Sequence, residues 1–408
     1  MRQDAEFIIK EAIHHVLPDE AVVRALQSKQ FDSGKLIVVA VGKAAWQMAK
    51  AASYTLKDKI TEGYVITKYN HVLHELPAFS CFEAGHPVPD DNSFNATQTV
   101  LSATANLNQQ DTVLFLLSGG GSALFEKPLI QSDELQDITK QLLNCGAEIT
   151  EINTIRKRLS AVKGGKFAQH CAPAQVFSIV LSDIVGDPLD MIASGPAYPD
   201  SSTSEDALNI VSKYNLILSD QAFQMLKKET PKELKNIETV ITGSVKNLCL
   251  AAKTAAEQLG YETTILTTEC CCEAKDAGKS LAQIALKHQS TQKSLAFISG
   301  GETVVHITGK GKGGRNQELA LATAEILSHC NDTCLFSVGS DGTDGPTDAA
   351  GGYVDTLTYA TLRQQGIDIN QVLLDNDSYH ALQKANGLIF TGPTGTNVND
   401  VSVLLIKR

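Results

Sequence analysis

The sequence predicts an α/β protein of two domains, the first a Rossmann-like, doubly wound parallel sheet and the second a mixed sheet. Three observations predict it. Continuous apolar runs alternate with segments of helical periodicity, the pattern of strands buried on both faces. Several of those runs end directly in glycine-rich turns. The 408 residues also exceed the usual size of one domain.

The elements follow in order. Phe7, Ile8, Ala12, Ile13, Val16 and Leu17 repeat at helical spacing, which predicts an amphipathic helix rather than a signal peptide. Lys35–Gly42 (KLIVVAVG) is a buried strand, and Lys43–Leu56 the helix after it. Glu62–Lys68 and Ser80–Ala84 are shorter strands, and Asp91–Leu107 is helical. Thr112–Leu117 (TVLFLL) and Val176–Ser182 are strands, with helices over Glu134–Gly146 and Ile152–Leu159 between them. Strands at Thr239–Thr242, Thr263–Leu266 and Leu295–Ile298 alternate with helices at Val245–Leu259 and Ala274–His288. Thr303–Thr308 (TVVHIT) then suggests a hairpin, and Leu388–Ile406 two strands around a Gly/Pro/Asn-rich loop. The helix-breaking stretch Glu229–Asn236 is the expected exposed linker, giving domains 1–235 and 236–408.

Charge narrows the partners. A formal net charge of −11 repels nucleic acid and anionic lipid, so neither is expected. A phosphorylated ligand would need a locally built site. No run is apolar and long enough to span a membrane. Nine cysteines without a C-x-x-C pair predict reduced thiols and a cytoplasmic protein. Cys270-Cys271-Cys272 is read as structural, because adjacent residues cannot all reach one metal and no His lies close by.

Five constellations carry the chemistry. Ser118-Gly119-Gly120-Gly121-Ser122 follows a strand directly, and its glycines let backbone N–H groups converge on an anion. Gly309–Glu318 (GKGKGGRNQE) lacks the Lys-Ser/Thr of a P-loop, but sets Arg315 at the start of a helix. Gly42-Lys43 ends the first strong strand and aims a lysine into the strand-end crevice. Asp183 and Asp187, just past another strand, are either magnesium ligands or turn aspartates. Gly339–Asp348, with Asp341, supplies metal or hydroxyl contacts or forms a rigid loop. Arg156, Lys157, Arg158, Lys163 and Lys166 form a basic cluster suited to an anion clamp, and His86 is a conceivable acid or base in a proline-rich turn.

Together these segments resemble the type II glycerate kinases, which carry a C-terminal MOFRL domain. The matching stretches are VGKAA (Val41–Ala45), GHPVPD (Gly85–Asp90), LLSGGGSALF (Leu116–Phe125), INTIRKRLSAVKGGKFA (Ile152–Ala168), LSDIVGDPLDMIASGPAYPD (Leu181–Asp200), GKGKGGRNQELAL (Gly309–Leu321), SDGTDGPTDAAGG (Ser340–Gly352) and FTGPTGTNVNDV (Phe390–Val401). The resemblance implies Mg²⁺-dependent transfer of the ATP γ-phosphate to D-glycerate, giving 2-phospho-D-glycerate, in an interdomain cleft. It implies Lys43 and Arg315 as the catalytic pair, with Ser118, Gly119, Gly120, Gly121, Ser122, Lys163 and Asp341 at the nucleotide and Asp183 and Asp187 at the metal. A monomer or homodimer is the expected assembly. The alternative is an NAD(P)H-dependent hydroxypyruvate reductase, against which stands the first βα turn, Val41–Ala45, which is not a G-x-G-x-x-G fingerprint.

Overall fold

The structure, a computed structural model, describes residues 1–27, 29–31 and 34–408. The first sheet holds β1 (Leu36–Val41), β2 (Glu62–Lys68), β3 (Phe79–Ala84), β4 (Thr112–Leu117), β5 (Gln175–Leu181) and β6 (Ile237–Gly243) in the order β3-β2-β1-β4-β5-β6. β1 and β4 are buried at every residue, as their unbroken apolar runs require of central strands. β1 pairs parallel with both β2 and β4, and β2–β3 and β4–β5 are also parallel. From β1 the chain winds outward to β2 and β3, then returns to β4 on the other side. That reversal opens a crevice beyond the carboxyl ends of β1 and β4.

The helices of this half follow the sequence signals. α1 (Arg2–His15) opens the chain but packs with the other sheet, α2 (Pro18–Gln27) comes next, and α3 (Ala45–Leu56) follows β1. α3 buries Trp46, Met48, Ala49 and Ala52, and the Trp46 indole N–H donates to His74 O at 2.9 Å. α4 (Asp91–Ala103) starts at a capping box of Asp90 and Ser93. After β4 come α5 (Gly121–Leu124), α6 (Ser132–Asn144), α7 (Ile149–Leu159) and α8 (Lys166–Cys171), and before β6 come α9 (Ser204–Tyr214) and α10 (Asp220–Leu226). Leu135, Ile138 and Leu142 of α6 bury against Ile152, Ile155 and Leu159 of α7 and Ala207 and Ile210 of α9, an apolar cluster separate from the sheet core.

The second sheet orders β7 (Glu262–Cys270), β8 (Leu295–Gly301), β9 (Thr333–Gly339), β10 (Gly351–Asp355), β11 (Leu388–Ile389) and β12 (Asp400–Ile406) as β11-β10-β9-β12-β8-β7. β7 and β8 are parallel, while β12 runs antiparallel to both β8 and β9, so the sheet is mixed as expected. Alternation along β12 divides two cores. Val401, Val403 and Leu405 pack with α1 and α11 (Val245–Gln258). Leu404 and Ile406 pack with α12 (Ala274–Lys287) and α13 (Arg315–Leu321).

One sequence expectation fails here. Thr303–Thr308 forms no strand: it makes one bridge, Val304 with Glu273, and Ile307 is 83% exposed. The reason is that β12 occupies the antiparallel place beside β8. Glu229–Asn236 is exposed only in part, at Glu229, Lys232, Glu233 and Lys235. Thr230 is buried with its hydroxyl on Asp200 at 2.7 Å, and buried Asn236 donates to the carbonyls of Ala168 and Ala174, both at 2.9 Å.

Contacts divide the chain into two compact units. The first comprises Ala21–Leu181 and Asp187–Thr242; the second comprises Met1–Glu20, Ser182–Gly186 and Gly243–Arg408. Within the first, buried Asp200 is a hub. It accepts from Lys157 Nζ at 3.0 Å, Thr230 Oγ1 at 2.7 Å and Ser202 N at 3.1 Å, with Arg158 at 3.7 Å. Asp200→Ala leaves buried Lys157 with only Asp190 and buried Arg158 with only Glu229 as carboxylate partners, and should cost about 3 kcal/mol, the low end for breaking a buried pair. A urea or thermal unfolding midpoint unchanged from wild type would contradict this role.

Candidate functional site

The crevice of the first unit is built by two strand ends in contact. Gly42, with φ +119°, lies so near β4 that a Cβ there would come within 2.3 Å of Ser118 Oγ. The Ser118 hydroxyl accepts from Ala44 N at 3.1 Å and donates to Val41 O at 3.3 Å. Lys43 N donates to Gly119 O at 2.9 Å, and Gly42 N to Ile66 O at 3.1 Å. Every N–H of the first βα turn, from Gly42 to Ala45, is therefore occupied by protein.

The β4 turn is different. The N–H groups of Gly119 and Gly120 have no hydrogen-bond partner among the described residues. Gly120 is left-handed, and a Cβ on it would sit 3.1 Å from both the His86 ring and Lys43 Cγ. The structure thus brings Lys43, Ser118–Gly121 and His86 together. Lys43 is exposed, and its ammonium meets no carboxylate within salt-bridge reach among the described residues. α3 begins beside it without a side-chain cap, leaving first-turn N–H groups directed outward. α5, by contrast, spans only four residues and supplies little dipole.

Gly121 rests against Ala193, whose Cβ would lie 2.7 Å from one added at Gly121. Ala193, Ser194 and Gly195 are all left-handed, at φ of 51°, 61° and 62°. Two non-glycine residues in that region cost about 1–3 kcal/mol each, strain of the kind that gathers at ligand sites. Ser122 Oγ bonds Ser194 Oγ at 3.0 Å, and Ser194 donates on to Asn153 at 2.8 Å. The loop and the strained turn are thereby one assembly.

The basic cluster lies beneath this surface rather than on it. Lys163, expected at the nucleotide, is fully buried and donates to the carbonyls of Ser122 (2.8 Å) and Phe125 (2.9 Å), beside Glu126 at 3.1 Å. Burial pulls its ammonium down to about 8. Its place is that of a support for the loop, not of a phosphate contact. Lys166 is equally engaged, donating to the carbonyls of Lys157, Arg158 and Ser160 at the end of α7. Arg156 donates to Ser122 O at 3.0 Å.

His86 and Lys68 are the residues that sequence reading undervalued. Both lie at strand ends of the same sheet, His86 beyond β3 and Lys68 closing β2. Their signal was position after a strand, masked for His86 by the surrounding prolines. Burial first, then the charges of Lys43 and Lys68, holds the His86 imidazole below its ordinary value.

The second unit holds a cavity of about 840 Å³ lined by Asp183, Glu302, Arg315, Asp341, Asp344 and Asn376 among others. Arg315 opens α13. Its guanidinium grips Asp400 bidentately, through Nε at 2.5 Å and Nη2 at 3.1 Å, and reaches Glu302 through Nη1 at 2.8 Å. Burial opposes its charge, but Asp400 and Glu302 outweigh that and hold it above its ordinary value. Buried Asp344 receives the N–H groups of Asn316 (3.1 Å) and Gln317 (2.9 Å), fixing the first turn of α13. Burial pushes Asp344 up to about 6.

The expected metal ligands divide between the units: Asp183 lines this cavity, whereas Asp187 belongs to the first unit, with one carboxylate oxygen buried and without a hydrogen-bond partner. Asp341 lines the cavity with Asp183, and its carboxylate receives Thr343 N at 2.9 Å. No group of three metal-ligating side chains occurs among the described residues. No helix among the described residues is long and apolar enough to cross a membrane.

Comparison with known proteins gives full-length matches. The family models "Domain of unknown function (DUF4147)" and "MOFRL family" match residues 4–227 and 295–400. A Thermotoga maritima protein named D-glycerate 2-kinase is 51% identical, covering 98% of this chain and 97% of that protein. A Pyrococcus horikoshii protein named glycerate 2-kinase is 40% identical, covering 98% and 96%. The crystal structure of a Thermotoga maritima glycerate kinase superposes with a TM-score of 0.95 over 99% of both chains.

The charge environment of His86 is measurable. An NMR titration should place its imidazole below the ordinary value of about 6.5, and Lys43→Ala should move it upward. A His86 that titrates at or above that value, or is indifferent to Lys43, would contradict the geometry described.

Proposed function

This chain belongs to the type II glycerate kinase family with a C-terminal MOFRL domain, and we propose on that premise that it transfers the γ-phosphate of ATP to D-glycerate, giving 2-phospho-D-glycerate and ADP with Mg²⁺. The observation that carries the reading is the Ser118–Gly121 turn. It presents two unpartnered N–H groups at a sheet switch point beside an unpaired lysine.

The roles follow from the donors. Gly119, Gly120 and Gly121 receive nucleotide phosphate, with the Ser118 and Ser122 bonds keeping the turn's shape. Lys43 and Arg315 bind the glycerate carboxylate and offset charge on the transferring phosphoryl group. Asp183, Asp187 and Asp341 are the carboxylates offered to magnesium, which when bound neutralises phosphate oxygens. The neutral His86 imidazole takes the proton of the acceptor hydroxyl as its oxygen bonds to phosphorus and the bridging oxygen of ADP departs.

The reductase alternative lacks a seat. A dinucleotide pyrophosphate needs free N–H groups in the first βα turn, and those of Gly42 to Ala45 are all taken.

Lys43→Ala and Arg315→Ala should each lower turnover of D-glycerate with ATP and Mg²⁺ by roughly 10²–10⁴-fold, the range for lost transition-state charge stabilisation; Lys43→Ala should keep its unfolding midpoint, whereas Arg315→Ala, which leaves buried Asp400 unpaired, should lower it. Product analysis should find phosphate on the 2-hydroxyl. Near-normal turnover in both variants would overturn the assignment, and NADH oxidation with hydroxypyruvate in the absence of ATP would favour the reductase.

A further inference from the structure

Cys270-Cys271-Cys272 lies where β7 ends, and the pairing of β7 with β8 slips register on the way to it, between Ile265 and Thr267 and again between Thr267 and Cys270. Cys271 and Cys272 continue past the strand end, where the chain bends at Cys272. Cys270 and Cys272 accordingly bring their sulfurs to 3.9 Å of each other, while Cys271 between them lines the cavity that holds Arg315. Backbone bonds fasten both flanks: Cys270 O accepts Glu302 N at 2.8 Å and Cys272 O accepts Val304 N at 3.1 Å. Cys272 is exposed and Cys270 half-buried. A disulfide would bring these sulfurs from 3.9 Å to about 2 Å.

We infer that Cys270 and Cys272 are a dithiol site that a hydroperoxide converts to an intrachain disulfide. The exposed Cys272 sulfur attacks the peroxide: an S–O bond forms, the O–O bond breaks, and one water leaves. Cys270 sulfur then attacks Cys272 sulfur: the S–S bond forms, the S–O bond breaks, and a second water leaves with the Cys270 proton. Two thiols and one hydrogen peroxide thus give one disulfide and two waters. Burial, together with the neighbouring Cys272 sulfur, holds the Cys270 thiol above its ordinary value, which suits Cys270 to the resolving rather than the attacking part.

The bond would be felt nearby. Gly301 packs against the Cys270 backbone so closely that a Cβ there would lie 2.2 Å from Cys270 O, and the next residue is Glu302, whose carboxylate holds Arg315. That consequence rests on the catalytic reading of Arg315; the covalent chemistry does not.

The test treats the reduced full-length chain with hydrogen peroxide, blocks remaining thiols and maps the products by peptide mass spectrometry. Exposed Cys145 serves as an internal control. The expected result is loss of two hydrogens at Cys270 and Cys272, reversed by dithiothreitol, in the wild type and in Cys271→Ser. Cys270→Ser should instead retain oxygen on Cys272. Oxygen retained on wild-type Cys272 without a cross-link, as on Cys145, or a cross-link made through Cys271, would overturn the inference. The readout is independent of kinase turnover, so failure of one reading leaves the other standing.

Discussion

The approach of two parallel strand ends governs the first unit. β1 and β4 are neighbours throughout, and at their carboxyl ends the chain must leave in two directions without losing contact. Gly42 and the Ser118 hydroxyl achieve this: one removes a side chain, the other supplies both a donor and an acceptor. The division of labour between the two turns follows. The β1 turn uses its N–H groups for cohesion, while those of Gly119 and Gly120 in the β4 turn meet no partner among the described residues. Lys43 is anchored through its backbone to Gly119, so the cation and the N–H groups move as one body.

Buried cations serve as framework around that point. Lys157, Arg158, Lys163 and Lys166 are committed to carbonyls and carboxylates, chiefly Asp200, Glu126 and the end of α7. Breaking such a buried network is expensive because a charge is left behind. In the second unit Arg315 is likewise held by Asp400 and Glu302, but its side chain stays one-third exposed. The contrast is one of access: a cation wrapped in carbonyls shapes a loop, while one fixed at a cavity wall can still meet an anion.

Much of this was legible beforehand. The parallel strands announced themselves because a strand buried on both faces is apolar throughout, as LIVVAV and TVLFLL are. The placement of the glycine loop and Lys43 after strands, and of Arg315 at a helix start, is legible from sequence position and is what the fold shows. β9, β10 and α9 are not assigned from the sequence: TCLFSVG has the apolar character of β4, but it stands beside glycine-rich loops whose composition dominates the local pattern. The hairpin at Thr303–Thr308 failed because a local β-rich pattern cannot reveal that a strand a hundred residues later takes the adjacent place. Lys163 was misjudged for a related reason: a charge run reads the same whether it faces water or, as here, carbonyl oxygens.

The helix α1 packs with α11 and with β12, at the opposite end of the chain. A ribosome therefore releases α1 several hundred residues before its partners exist. Its apolar stripe, Ile8, Ile9, Ala12 and Ile13, must wait uncovered while the first sheet is made, until α11 emerges to cover it and β12 completes the cover. The second unit thus enlists a helix made before the first sheet, and a nascent chain carries that helix's open hydrophobic face through the synthesis of the whole first sheet.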